Sequence, residues 1–210
     1  MQRIENLSAD LSYLLYLPDD INAQDEWQLI LFLHGKGERG TDLSVVNKWG
    51  VPKYLDAGND LNAIVYAPQC PESTEIWVPM LDKVIAGLDA IQSEYNISQT
   101  HITGFSMGGH GTHYLAVKHP ERFVSVSPVA GRMYKSHDVT DEMCVLKEKR
   151  VWVFHSVADY VPVEDSDKVV EKLRACGAEQ VFYTRYDDAD HTETSDLVYF
   201  NQEFYEWMLT

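Results

Sequence analysis

Cysteine, basic charge and long apolar runs are what this chain has least of, and each shortage excludes a class of protein. Only Cys70, Cys144 and Cys176 occur in 210 residues. They are odd in number, widely spaced and without a C-x-x-C pair, so neither a disulfide framework nor a zinc knuckle is indicated, and free thiols in a reducing compartment are expected. Lys and Arg total 17 against 33 Asp and Glu, a formal charge of -16, which opposes binding to nucleic acid or to an anionic membrane surface. No stretch approaches transmembrane length, and Met1 to Leu7 offers no apolar run that could serve as a signal-peptide core. A cytoplasmic protein is the expectation, or a secreted one if a signal peptide has been removed. Repeats, low-complexity tracts and linker-like segments are also missing. With 45% hydrophobic residues the chain can fill one sizeable core, and a single domain over 1–210 is expected.

What is present is an alternation. Short apolar runs rich in β-branched and aromatic residues stand at Leu11 to Leu17, Gln28 to Leu33, Asn62 to Ala67, Thr100 to Phe105, Phe123 to Val129, Val151 to His155 and Gln180 to Tyr186. Helical spacing fills gaps between them. From Pro79 to Tyr95 the residues Leu81, Val84, Ile85, Leu88, Ile91 and Tyr95 form one stripe, and Val163 to Cys176 and Asp196 to Leu209 repeat the pattern more loosely. Strands alternating with helices predict an α/β protein with a mostly parallel sheet covered on both faces. Catalytic groups in such sheets gather at the carboxyl ends of the strands.

One such end carries Gly104-Phe105-Ser106-Met107-Gly108-Gly109. The strand pattern before Ser106 changes there to a helical pattern over Met107 to Lys118, which is the form of a nucleophile elbow. A strand-to-helix turn this tight pushes the serine backbone into a sparsely populated conformation, and the glycines remove side chains that would collide with neighbouring backbone. Ser106 is the candidate nucleophile. The amide of Met107, at the helix N-terminus, is a candidate oxyanion donor.

A serine hydroxyl needs a base, and the base needs a carboxylate to orient it. With this elbow the chain order is serine, acid, histidine. Asp159 follows the apolar run 151–155, and His191, in the polar loop 187–192, is the one histidine beyond it. Asp159 is therefore read as the acid and His191 as the base. Alternatives remain: His155 could be the base with Asp138 or Asp141 as its acid, although a partly buried polar role suits it better, and Asp187, Asp188 or Asp190 could also reach His191. His110 and His113 lie three apart on the helix after Ser106, but no third ligand or H-E-x-x-H pattern accompanies them, so no metal is expected.

A second oxyanion donor is sought in the glycine-rich loop His34-Gly35-Lys36-Gly37-Glu38-Arg39-Gly40, which follows the run 28–33. The amide of Lys36 is assigned to it, with that of Gly37 as the fallback, while Glu38 and Arg39 brace the loop. His34 and Trp77 are candidate lining residues, and Trp77 is equally well read as a buried structural tryptophan.

Taken with Ala67-Pro68-Gln69-Cys70-Pro71, Trp77, His119-Pro120-Glu121-Arg122-Phe123 and Ser127-Pro128-Val129-Ala130-Gly131, these motifs resemble the α/β-hydrolase superfamily. Within it the chain looks like the small phospholipase/carboxylesterase group, close to proteins labelled predicted peptidases. The resemblance covers most of the chain. It implies hydrolysis of a small-molecule carboxylic ester through an acyl-serine, with Ser106 as nucleophile, His191 as base then acid, Asp159 as the orienting carboxylate, and no cofactor. Thioester or peptide hydrolysis by the same triad is the alternative, and a noncatalytic binding protein on the same fold a more remote one. Two departures bear on substrate preference: Lys36 stands where members often have a small residue, and Ala189-Asp190 precede the histidine where glycine is common. Between Gly131 and Val151 lie only about twenty residues, too few for a large helical lid. An open site suited to short acyl or aryl esters is expected.

Overall fold

A computed structural model describes residues 1–7 and 10–210. Its centre is an eight-stranded sheet of order β1-β2-β4-β3-β5-β6-β7-β8. The elements follow in chain order as β1 (Gln2–Asn6), β2 (Tyr13–Leu17), β3 (Trp27–Leu33), α1 (Gly50–Asp56), β4 (Ile64–Pro68), α2 (Leu81–Glu94), β5 (Ile97–Phe105), α3 (Met107–Lys118), β6 (Ser125–Val129), β7 (Arg150–Ser156), α4 (Val163–Ala175), β8 (Val181–Tyr186), α5 (His191–Tyr199) and α6 (Gln202–Met208). Strands β3 to β8 pair in parallel, while β2 runs antiparallel to both β1 and β4. This is the α/β-hydrolase arrangement expected from the sequence.

The sheet is covered on both faces because its central strands are apolar on both. In β3, Leu29, Leu31 and Leu33 join one core with Leu81, Val84 and Leu88 of α2, Leu115 of α3 and Val169 and Leu173 of α4. The intervening Ile30 and Phe32 join the other, with Val51 of α1, Tyr199 of α5 and Phe204 and Met208 of α6. Alternation along a strand thus feeds two layers of helices, and a continuous apolar run is its signature.

Three elements depart from the sequence expectation. β1 is exposed along its whole length; it carries Arg3 and Glu5, blunts the sheet edge, and has no apolar face to announce it. α1 was not foreseen either, and it begins at Gly50, whose φ is +74° and whose position would drive any Cβ into the Phe32 ring. The helix expected over 196–209 is two helices. α5 starts at His191 because Asp190 and Glu193 form a reciprocal capping box, and α6 starts afresh where the Asn201 side chain accepts a bond from the Glu203 amide at 3.0 Å.

The cysteine reading is also corrected. Cys144 and Cys176, 32 residues apart in sequence with Cα atoms 5.3 Å apart, form a disulfide, and Cys70 alone is a free, buried thiol. Spacing along the chain could not reveal that the turn ending at Leu146 packs against the end of α4. Because disulfides persist in oxidising compartments, the cysteines no longer argue for a cytoplasmic location. Replacing both by serine is expected to cost about 3–4 kcal/mol, by releasing the chain entropy that a loop of this size withholds from the unfolded state. Urea unfolding of the reduced native protein and of the double variant should show the same loss.

The segment after Gly131 forms two short 3-10 turns, Lys135–His137 and Thr140–Leu146. Val139, Met143 and Leu146 are buried in the core, and Lys118 of α3 bonds Glu142 at 2.6 Å. This segment is tied down along α3 and α4, so it does not provide a large lid.

Candidate active site

β5 and α3 meet at Ser106, whose φ of 59° and ψ of -114° lie in the left-handed region that L-residues avoid. Such strain persists only where surrounding contacts impose it. Here the Ser106 amide is held by the Val129 carbonyl at 2.9 Å, and the glycines leave room for the turn. A Cβ on Gly108 would overlap the Leu33 carbonyl, and one on Gly109 would stand 2.7 Å from the Gly131 Cα. The bend therefore depends on chain sites far apart in sequence.

The loops after β7 and β8 complete the group. Ser106 Oγ lies 2.8 Å from His191 Nε2, and His191 Nδ1 lies 2.7 Å from Asp159 Oδ2. A carboxylate can only accept, so the proton on His191 sits on Nδ1, and Nε2 is left with a lone pair facing the serine hydroxyl. The other Asp159 oxygen accepts the Val161 amide at 2.8 Å, which closes a tight turn around the acid. The Asp159 side chain is fully buried, whereas the His191 side chain keeps 8% of its surface open. All three residues singled out in the sequence are thus brought together, at the carboxyl ends of β5, β7 and β8.

Of the competing assignments, Asp190 is accounted for as the N-cap of α5, accepting the amides of Thr192 and Glu193. His155 is fully buried in β7 and bonds Ser166 Oγ at 2.7 Å. His110 and His113 are buried on α3. Among the described residues no three His, Cys, Asp or Glu side chains converge as a metal site requires.

The glycine-rich loop lies beside the serine. A methyl group on Gly35 would stand 3.6 Å from Ser106 Cβ and 2.9 Å from Glu38 Oε2. Lys36–Glu38 is a 3-10 turn, so the amides of Lys36 and Gly37 have no acceptor within it. Met107 is likewise the first residue of α3, whose first helical bond runs from the His110 amide to the Ser106 carbonyl. The Lys36 ammonium turns away to Glu75 at 2.6 Å. Glu38 and Arg39 do brace the loop. Glu38 is buried, and burial pushes its carboxyl up from the usual range, against the opposing pull of Lys48 and of the Gly35 and Glu38 amides. Arg39 donates to the carbonyls of Lys36 at 3.0 Å and of Thr74.

His34 and Trp77 do not line an open site. They are 1% and 0% exposed, because both serve the loop from behind. His34 Nδ1 donates to the Gly35 carbonyl at 2.6 Å, and its Nε2 accepts the Cys70 amide at 2.9 Å. The Trp77 indole donates to the His34 carbonyl at 2.9 Å. Burial lowers the His34 pKa to about 4, so this bridge between the ends of β3 and β4 stays neutral.

The side chain that does stand at the mouth was not anticipated. Tyr160 is 78% exposed, with its ring centroid 4.5 Å from that of His191. Phe105 packs against the same imidazole at 4.6 Å. The only sequence signal for Tyr160 is that it follows the acid directly, which does not fix its direction.

Comparison with known proteins gives this geometry a setting. A family model described as "Putative esterase" matches residues 4–193. A probable feruloyl esterase C of Aspergillus oryzae is 35% identical over 130 residues, spanning 58% of this chain and 47% of that relative; the chain thus accounts for about half the length of the curated relatives it matches. Among solved structures, a thermostable esterase superposes with a TM-score of 0.80 at 31% identity, covering 99% of this chain and 62% of the other. An S-formylglutathione hydrolase from Staphylococcus aureus gives 0.74 at 15% identity, covering 100% and 96% respectively, a likeness of fold alone.

Proposed function

The chain belongs to the putative esterase family, and from that premise we propose that it hydrolyses carboxylic esters through an acyl-serine intermediate. The observation that carries this reading is the unbroken chain Ser106 Oγ, His191, Asp159, at 2.8 and 2.7 Å, built on a serine of positive φ. In this mechanism Ser106 Oγ attacks the ester carbonyl carbon as its proton passes to His191 Nε2. Asp159 steadies the imidazolium that forms. The tetrahedral oxyanion is met by the amides of Met107 and Lys36, with Gly37 as the alternative second donor. Collapse expels the alcohol, which takes the proton from His191. Water then enters, gives a proton to His191 and attacks the acyl carbon, and Ser106 recovers its proton as the carboxylic acid leaves.

The substrate class we infer is a small ester with a short or aromatic acyl group. Two features support it: the segment after Gly131 is packed onto α3 and α4, and the exposed ring of Tyr160 offers an aromatic acyl group a flat face beside His191. The relatives named as feruloyl esterases point the same way. A panel of p-nitrophenyl acetate, butyrate and octanoate, methyl ferulate, an acyl-thioester and a peptide amide tests the reading. Acetate, butyrate or ferulate should be turned over fastest; preference for octanoate or for the amide would overturn it. A fluorophosphonate should label the native protein, and failure to label would count against any serine hydrolase.

A further inference from the structure

The buried histidine of β7 has no part in the scheme above, yet it stands directly behind the acid. His155 Nε2 is 3.2 Å from the Val161 carbonyl and 3.7 Å from Asp159 Oδ2, the same oxygen that accepts from His191. Its Nδ1 meets Ser166 Oγ, in the first turn of α4, at 2.7 Å. A carbonyl can only accept, so the ring proton is on Nε2 and the Ser166 hydroxyl donates to Nδ1. The imidazole is therefore a neutral strut with its N–H between the acid and the carbonyl two residues beyond it.

We propose that His155 is a positioning residue: oriented by Ser166, it holds the 157–162 turn through the Val161 carbonyl and thereby keeps Asp159 Oδ2 aimed at His191. This rests on the esterase reading, with Asp159 as the acid. The turn needs such an anchor. It is a short excursion between β7 and α4 with Val157 and Tyr160 exposed. The Val157 amide ties its start to the Tyr186 carbonyl of β8 at 2.8 Å, and beyond that point it is held by the Val161 amide on Asp159 Oδ1 at 2.8 Å, the Ala158 amide on Ser156 Oγ at 3.3 Å and the Asp159 amide on the Ser156 carbonyl at 3.4 Å. His155 adds a bond from the sheet itself. The charged and titratable groups around it are Asp159 on the turn, Asp165 on α4, His191 on α5 and His113 on α3. Burial lowers the pKa of His155, with Asp159 opposing, so the strut remains uncharged while the site works. A misplacement of about 1 Å at a reacting group can cost roughly a hundredfold in rate.

The test is kinetic, on the full chain with p-nitrophenyl acetate at a temperature well below unfolding. His155→Leu should lower kcat by about 10- to 100-fold with KM within twofold, and should slow fluorophosphonate labelling of Ser106 by a similar factor. His155→Gln, whose amide can donate to Val161 and accept from Ser166, should recover most of both. If the leucine variant does not fold, Ser166→Ala carries the test: it leaves β7 intact, frees the imidazole to turn, and should lower kcat without raising KM. Lower thermal stability with unchanged kcat in these variants, or a glutamine variant as impaired as the leucine one, would overturn the proposal. Native protein that neither hydrolyses an ester nor takes the label would instead remove the esterase reading on which it stands.

Discussion

Ser106→Ala is expected to lower kcat for ester hydrolysis by about a millionfold, the order of loss seen when such a nucleophile is removed, while leaving the fold in place. The loss should be of kcat and not of binding, since the Met107 amide and the glycine-rich loop remain to receive the substrate carbonyl. The substitution only removes Oγ, leaving a methyl group at a position whose backbone is fixed by the Val129 carbonyl, so the turn has no new strain to absorb. The three groups act as a unit, hence Ser106→Ala combined with His191→Ala should be no slower than Ser106→Ala alone. Pre-steady-state kinetics with substrate in excess should also lose any burst of p-nitrophenol that marks acyl-enzyme accumulation. A variant keeping a tenth of native kcat would mean that another group attacks the ester.

Acid is expected to unfold the protein well before its carboxylates are fully protonated. His34, His101 and His113 are buried, and burial lowers their pKa values from 6.5 to about 4, 3 and 3. In the unfolded chain each takes up a proton near pH 6.5; in the native chain each resists until pH 4 to 3. Between those limits the unfolded state binds more protons, so stability is complete above about pH 6.5 and drains away as pH falls. Each histidine can contribute up to about 1.4 kcal/mol per pH unit in that window. Together they would remove up to about 6 kcal/mol by pH 5, a large share of the stability of an ordinary domain. Urea midpoints measured at pH 7.5, 6 and 5 should fall accordingly. His101→Gln keeps a polar partner for Ser125 and Gln28, which the imidazole now meets at 2.8 Å each. It should flatten the dependence by about one histidine's share.

Much of this architecture is written locally. β3, β4, β5 and β7 announce themselves because a strand buried on both faces must be apolar throughout, and α2 because one face of it must be. The elbow is legible for a related reason: only glycine tolerates the close approach of Leu33 and Gly131 to α3, so the backbone geometry leaves a mark in residue type. Chain order then proposed Asp159 and His191. β1 and α1 left no such mark, one being an exposed edge and the other a short helix whose burial is decided by partners distant in sequence. The capping box at Asp190 and Glu193 was there to be read, and it would have moved the start of α5 to His191.

What the sequence determined by itself is the set of local constraints: strand, turn or helix where apolar period and glycine demand it, and a serine, a carboxylate and a histidine in a workable order. Tertiary structure alone decided which side chains meet. It placed His34 and Trp77 behind the glycine-rich loop instead of in the site, joined Cys144 to Cys176, turned Tyr160 outward over His191, and set His155 against the acid. Residue type records what a position needs of its own backbone and burial. Direction and distance between loops far apart in sequence arise only when the sheet aligns the carboxyl ends of β3, β5, β7 and β8.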